Sequence, residues 1–202
     1  MNKIILIGGS PTAGKSFTAR KIAESLKFPW ISTDTIREQM RKIVSKKDFS
    51  DLFAHSEATP NMAVDFLSNK SAKEIVKHQN DESFDVWKGV SALIETDYVW
   101  GDFIIEGVAV LPNLVNKVSV KNKEIKVVFL VDDNIERIRK TIFTRGVWDD
   151  ADKYPDDVKE KEVEWVIEFN KYIIRESKKY GFSVVKIGDR KQYINEIKRL
   201  IQ

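Results

Sequence analysis

The chain has 202 residues, 42% hydrophobic and 32% charged, with nine Gly and five Pro. That composition fits one folded domain and excludes collagen-like, mucin-like or largely disordered polymers. Thirty-four Lys and Arg against thirty-one Asp and Glu leave a net charge of +3, too even for a surface that coats nucleic acid; the absence of cysteine removes disulfides, thiolate metal sites and a Cys nucleophile.

Ile4-Ile5-Leu6-Ile7 is a short apolar, β-branched run that ends at Gly8-Gly9 and reads as a buried parallel strand. Phe17, Ile22, Ala23 and Leu26 then recur at helical spacing. A second short strand is predicted over 29–31, stopping at Ser32-Thr33-Asp34, and Thr35 with Glu38 has the form of a capping box that opens a helix. Residues 46–84 are polar and irregular: Pro60 reads as a helix interruption and Asp81-Glu82-Ser83 as a turn, so the segment is expected to be a helical insertion over the substrate side. A long helix is predicted over 84–99, and strands over 103–105 and 127–131. A helix at about 134–145 carries Arg137, Arg139 and Arg145, and an acidic, turn-like stretch follows at 149–157. Another long helix, at about 158–180, stops at Gly181, the left-handed residue that commonly ends helices. A strand over 183–187 and a helix over 190–201 close the chain. Strands alternating with helices predict an α/β, three-layer arrangement. About five parallel strands form the sheet, helices cover both faces and a helical lid lies at about 134–160, all in a single domain over 1–202.

Gly9-Ser10-Pro11-Thr12-Ala13-Gly14-Lys15-Ser16 matches the phosphate-loop pattern G-x-x-x-x-G-K-[ST] in full. Gly9 and Gly14 let the backbone curl so that successive N–H groups point at phosphate oxygens. The helix that starts there, with Phe17 in its first turn, adds the positive end of its dipole. Lys15 is expected on the β- and γ-phosphates and the Ser16 hydroxyl on Mg²⁺. The motif lies between an apolar strand and an amphipathic helix, where its chemistry requires it, and no Asn-Lys-x-Asp guanine-reading pattern occurs; ATP with Mg²⁺ is the expected cofactor pair.

Ligands of parallel sheets gather beyond the carboxyl ends of the strands. Asp34 stands after the second strand, where it can accept a proton from a hydroxyl, or simply cap the helix. Arg37, one turn on, suits an anionic substrate group through its planar fork. Glu106 ends the third strand, beside the expected phosphate-loop strand, as a metal ligand or base; Asp132 and Asp133 compete for that assignment from the fourth.

At these residues the chain resembles a family. Ile7-Gly8-Gly9-Ser10-Pro11-Thr12-Ala13-Gly14-Lys15-Ser16, Ile31-Ser32-Thr33-Asp34-Thr35-Ile36-Arg37 and Ile104-Ile105-Glu106-Gly107-Val108 look like successive blocks of 2-phosphoglycerate kinase and its relatives, which are P-loop small-molecule kinases with the nucleoside-monophosphate-kinase-like fold. The resemblance implies ATP-dependent phosphotransfer to a small, anionic, hydroxyl-bearing metabolite. It implies catalytic roles for Lys15, Asp34, Glu106 and Arg145, substrate binding by Asp34, Arg37 and Arg139, and Mg²⁺ binding by Ser16 and Glu106. The alternatives are a polynucleotide 5′-end kinase, which calls for a basic channel, and a nucleotide-dependent regulatory ATPase.

His55 and His78 lack partners at metal-ligand spacing, so no zinc site is expected. Trp87, Trp100 and Trp165 are expected to pack on helices. The run 4–7 is too short for a secretory signal and no stretch approaches the about 18 apolar residues of a membrane span. The expected location is the cytoplasm, as a monomer or homodimer without nucleic-acid or membrane partners.

Overall fold

The computed structural model describes residues 2–54, 56, 59–96, 101–147 and 151–202. Its elements run β1 (Asn2–Gly9), α1 (Lys15–Leu26), β2 (Trp30–Ser32), α2 (Thr33–Arg41), α3 (Pro60–Asn69), α4 (Ala72–Glu95), β3 (Phe103–Glu106), α5 (Pro112–Val115), β4 (Lys123–Val131), α6 (Ile135–Thr144), α7 (Asp156–Tyr180), β5 (Ser183–Lys186) and α8 (Arg190–Leu200), with single 3₁₀ turns at Asp51–Phe53 and Ala151–Lys153. The sheet is parallel throughout, in the order β2-β3-β1-β4-β5.

Alternation along the strands divides the apolar residues between the two faces. Ile4 and Leu6 of β1, with Ile105 and Phe129, pack beneath α2, α4 and α7. Ile5 and Ile7, with Ile104, Val128 and Leu130, pack against α1 and α8. Every one of those side chains is fully buried, and truncating one to Ala is expected to cost about 2–5 kcal/mol. Trp87 and Trp165 belong to the first face as packing residues, as expected.

Register places the site. Ile7 pairs with Glu106, and Ser32 pairs with the same Glu106 from the other side. The phosphate loop, Glu106 and the Ser32–Asp34 corner therefore leave the sheet at one level, on its carboxyl edge.

Four expectations are corrected. Pro60 does not interrupt a helix but occupies the first turn of α3, where its missing N–H is harmless, and the Thr59 side chain accepts from Met62 N. Asp81-Glu82-Ser83 is not a turn. A capping box of Ser71 and Glu74 starts α4 well upstream, the Lys77–Asp81 pair (2.6 Å) spans one turn and Ser83 Oγ donates to Gln79 O (2.7 Å), so the helix runs straight through. The cap of α2 is Ser32, whose hydroxyl accepts from Thr35 N (3.1 Å), rather than Thr35. The fourth strand begins at Lys123, because its first half pairs with Asn2 and Lys3 at the edge of the core, where half-exposed polar residues hide the apolar pattern. His55, Trp100, Asp149 and Asp150 lie outside the described residues, as does the end of the helix expected over 84–99.

Candidate active site

The phosphate loop is a tight curl closed by its own backbone. Gly14 (φ 72°) and Thr12 (φ 63°) are left-handed, which lets Ala13 N reach Ser10 O (3.3 Å) while Ser10 N reaches Leu130 O (3.3 Å) on β4. Gly9, at φ 141°, passes so close to the Leu130 backbone that a β-carbon would overlap it. Lys15 opens α1, and its ammonium donates to Ser10 O (2.7 Å). Burial pushes the Lys15 ammonium below its ordinary range, opposed by the carboxylates of Glu106 and Asp34 and assisted by the charge of Arg145. A cation desolvated in this way is poised for polyanionic phosphate.

A second layer holds the loop, and sequence reasoning missed its central residue. Asn170 of α7, 7% exposed, accepts from Ser10 Oγ (2.7 Å) and from Asp132 N (3.3 Å), and its amide donates to Asp132 O (2.7 Å). Asp132 in turn accepts from Arg137 Nε (2.7 Å), and Arg137 also donates to Ile187 O (2.8 Å). Asp132 is thus committed to a clasp between β4, α6 and the end of β5, and Asp133 pairs with Lys186 (2.8 Å).

Glu106 is 2% exposed. Its burial raises the carboxyl above the ordinary glutamate range, while the Lys15 charge and a hydrogen bond from Ser16 pull it back. The residue behind it must be glycine: at φ 150° Gly107 abuts the Thr33 side chain, and a β-carbon would overlap Thr33 Oγ1. The donor set here suits Mg²⁺, because a hydroxyl and a carboxylate are hard oxygen ligands and Mg²⁺ is commonly held by one or two protein groups plus substrate phosphates. Among the described residues no group of three or more His, Cys, Asp or Glu forms an all-protein metal cage.

Asp34 sits in the first turn of α2 and is not its cap, since Ser32 performs that task. Its carboxylate, 63% exposed, lies 3.2 Å from Arg37 Nη1. Arg37 also meets Glu38 (3.1 Å) and Glu82 (3.9 Å). Burial disfavours the Arg37 charge, but Glu82, Asp34 and Glu38 outweigh it and raise its pKa. Arg41, one turn further, donates to Leu52 O (2.7 Å), Glu38 (2.7 Å) and Glu82 (2.8 Å), which ties α2 to the insertion. Burial raises the Glu82 carboxyl against the pull of both arginines. Glu82 was hidden in the segment that read as a turn; the i, i+4 spacing of Arg37 and Arg41 was the one signal for the cluster.

These groups line a cleft of about 730 Å³ that runs from Pro11, Thr12, Lys15 and Ser16 past Asp34, Glu106 and Arg37 to α3, α4 and α7. The predicted lid arginines separate in space. None of the three is among the residues that line the cleft: Arg139 is held by Glu160 (2.9 and 3.1 Å) and Glu136 (3.2 Å) between α6 and α7. Arg145, at the end of α6, is the one of the three whose charge acts on Lys15. Phe17, in the first turn of α1, carries the Arg190 guanidinium 4.5 Å above its ring. No described helix is long and apolar enough to cross a membrane.

No protein-family model matches the chain. It is 31% identical over 184 residues to the 2-phosphoglycerate kinase of Methanocaldococcus jannaschii, covering 90% of this chain and 57% of that protein. The corresponding enzyme of Methanothermobacter thermautotrophicus is 33% identical over 150 residues, covering 72% of this chain and 48% of the relative. The mevalonate-3-phosphate 5-kinase of Thermoplasma acidophilum is 25% identical over 140 residues, with 68% and 66% covered. The chain thus spans about half the length of the two phosphoglycerate kinases. A gluconokinase from Sinorhizobium meliloti superposes with a TM-score of 0.55 at 14% identity, covering 99% of this chain and 94% of that one. Sheet order, phosphate loop and these matches together assign the P-loop kinase fold, in a chain that resembles 2-phosphoglycerate kinase along 90% of its length.

Proposed function

We propose that the chain is an ATP- and Mg²⁺-dependent phosphotransferase acting on the hydroxyl of a small anionic metabolite, with 2-phosphoglycerate the first compound to try. The observation that carries this reading is the level at which Ile7, Glu106 and Ser32 pair, which gathers Lys15, Ser16, Glu106 and Asp34 around one cleft. The acceptor oxygen attacks the γ-phosphorus as the bond to the ADP oxygen breaks, and the hydroxyl proton passes to the Asp34 carboxylate. Lys15 and the curled backbone stabilise the charge that spreads over the phosphoryl oxygens. Ser16 and Glu106 are the groups that would hold Mg²⁺, which supplies Lewis-acid neutralisation of the phosphates. Arg37 orients the anionic end of the acceptor, Arg145 adds positive field from the lid side at about 134–160, and the 46–84 insertion closes the acceptor side. The phosphoglycerate and mevalonate-phosphate kinases above have acceptors that, by their names, carry a phosphate, which supports an anionic acceptor.

The test is ³¹P NMR of ATP consumption and product formation against a panel of hydroxy acids, phosphate esters and nucleosides, with Lys15→Ala as control. New phosphate ester only with wild type supports the reading; turnover retained in a folded Lys15→Ala protein overturns it. A polynucleotide 5′-end kinase calls for a basic channel, whereas this cleft is lined by Asp34, Glu82 and Glu106 as well as by Lys15, Arg37, Arg41 and Lys153, which disfavours it.

A further inference from the structure

The acceptor end of the cleft has two different walls. One is charged: Asp34 and Arg37 on α2. The other is largely apolar, with His78 and Gln79 of α4 interspersed. Met62 and Phe66 stand four residues apart on α3, hence on one helical face, and both line the cleft, as do Ile75 of α4 and Trp165 of α7. Ile75 and Trp165 are each 3% exposed, and Met62, at the lip, is 56% exposed. The polar atom of the indole is already used, because Trp165 Nε1 donates to Gln79 Oε1 (3.1 Å), so the ring contributes only hydrocarbon to the wall. Phe66 is fixed edge-on against His78, with ring centroids 5.4 Å apart.

A concave apolar wall beside a few convergent polar groups is the usual form of a small-molecule site. A phosphoglycerate, the first compound to try, leaves that wall unused. Each of the three carbons of 2-phosphoglycerate bears oxygen, so that molecule offers the wall nothing and would leave exposed Met62 and half-buried Phe66 facing water. We propose that the acceptor is a hydroxylated anion with an oxygen-free hydrocarbon segment, its anionic group on Arg37 and its hydrocarbon on Met62, Phe66, Ile75 and Trp165. This inference rests on the phosphotransferase reading for the position of the hydroxyl, but it adds the class of acceptor.

The experiment uses the full chain and a series of phosphorylated hydroxy acids of three to six carbons, in which only oxygen-free carbons are added. Steady-state kcat/KM is measured for each. Binding of the same compounds is measured by calorimetry in the presence of a non-hydrolysable ATP analogue. The expected result is a gain of about fourfold in kcat/KM and in affinity for each buried methylene. Phe66→Ala is expected to flatten that dependence, so that the six-carbon compound loses more kcat/KM and more affinity than the three-carbon compound does. Met62→Ser, at an exposed lip where the fold does not depend on the side chain, should flatten it in part and covers the case in which Phe66→Ala fails to fold. Turnover with no gain along the series overturns the apolar subsite and leaves the kinase reading standing. Affinity that rises with carbon number without turnover supports the subsite and overturns the kinase reading. Neither binding nor turnover for any member overturns both.

Discussion

The Asp34 carboxylate lies 3.2 Å from Arg37 Nη1, so the proposed base and the proposed anion receptor are in direct contact on one wall of the cleft. The pair aims Asp34 through a partner that is itself braced by Glu38 and Glu82. Asp34→Asn retains size but not charge. It is expected to lower kcat by about 10²–10⁴, the ordinary contribution of a general base, with little change in the KM for ATP. An unchanged kcat would reduce Asp34 to an ion-pair partner of Arg37.

Lys15→Ala is expected to lower turnover by at least about 10²–10³, the cost of removing one charge-stabilising donor. Stability should hardly move. The variant loses the hydrogen bond to Ser10 O (2.7 Å), but it no longer has to desolvate an ammonium. Melting within roughly 2–4 °C of wild type, the shift that 1 kcal/mol produces in a chain of this size, together with abolished turnover, is the expected pair of readings.

Glu106 gives a prediction with a sign. Burial raises its carboxyl in the folded protein, the Lys15 charge and the Ser16 hydroxyl opposing. A carboxyl raised on folding carries no penalty below its unfolded value, and the protein loses stability as pH rises through the folded value. Glu106→Gln should therefore melt above wild type at pH 7–8, and the difference should vanish near pH 4, below the ordinary glutamate value of about 4.3. The same variant should need more Mg²⁺ for half-maximal rate. A variant that melts below wild type at neutral pH would show that Glu106 is net stabilising when ionised, and would overturn the reading that burying its charge costs stability.

Asn170→Ala strips partners from Ser10 Oγ, from Asp132 N and from Asp132 O at once. Each buried group left unsatisfied costs about 1–3 kcal/mol. Because those hydrogen bonds hold the second residue of the phosphate loop, the KM for ATP should rise while the KM for the acceptor stays fixed. Equal changes in both constants would mean that Asn170 only supports the fold.

The parts of the site that were legible in the sequence are those whose chemistry is local. Gly9 to Ser16 form one turn, Ser32-Thr33-Asp34 a strand end, and Glu106-Gly107 another; each is specified by neighbours a few residues away. The preference for Glu106 over Asp132 and Asp133 on the metal side followed from strand order, and β3 does pair with β1. Long-range side-chain partners were not legible. Glu82 sits in a polar triplet with turn-like composition, and its partners Arg41 and Arg37, 41 and 45 positions earlier, show why it is half-buried mid-helix. Asn170 meets Ser10 across 160 positions, which no periodicity encodes. Arg137, Arg139 and Arg145 share a helical segment, but Asp132 holds the first and Glu160 the second, and none of the three is among the residues that line the cleft.

Arg37 decides whether the acceptor needs an anion. In the free protein its guanidinium meets three carboxylates, at 3.2 Å (Asp34), 3.1 Å (Glu38) and 3.9 Å (Glu82), and the last is a long ion pair that an incoming phosphate or carboxylate can outcompete. Arg41 has no such slack, since Leu52 O, Glu38 and Glu82 take its donors at 2.7 to 2.8 Å. Exchange of a long ion pair for a bidentate one is favourable where water is excluded, so the anionic acceptor should gain through Arg37 and not through Arg41. Paired acceptors that differ only in the anionic group test this, each with wild type and Arg37→Ala. Wild type should prefer the anionic member by about 10²-fold or more, the usual effect of truncating one partner of a buried charge pair, and Arg37→Ala should erase most of that preference by raising the acceptor KM. A neutral polyol used as efficiently as its phosphorylated partner would remove the anionic acceptor, and would assign Arg37 to holding Asp34 in place.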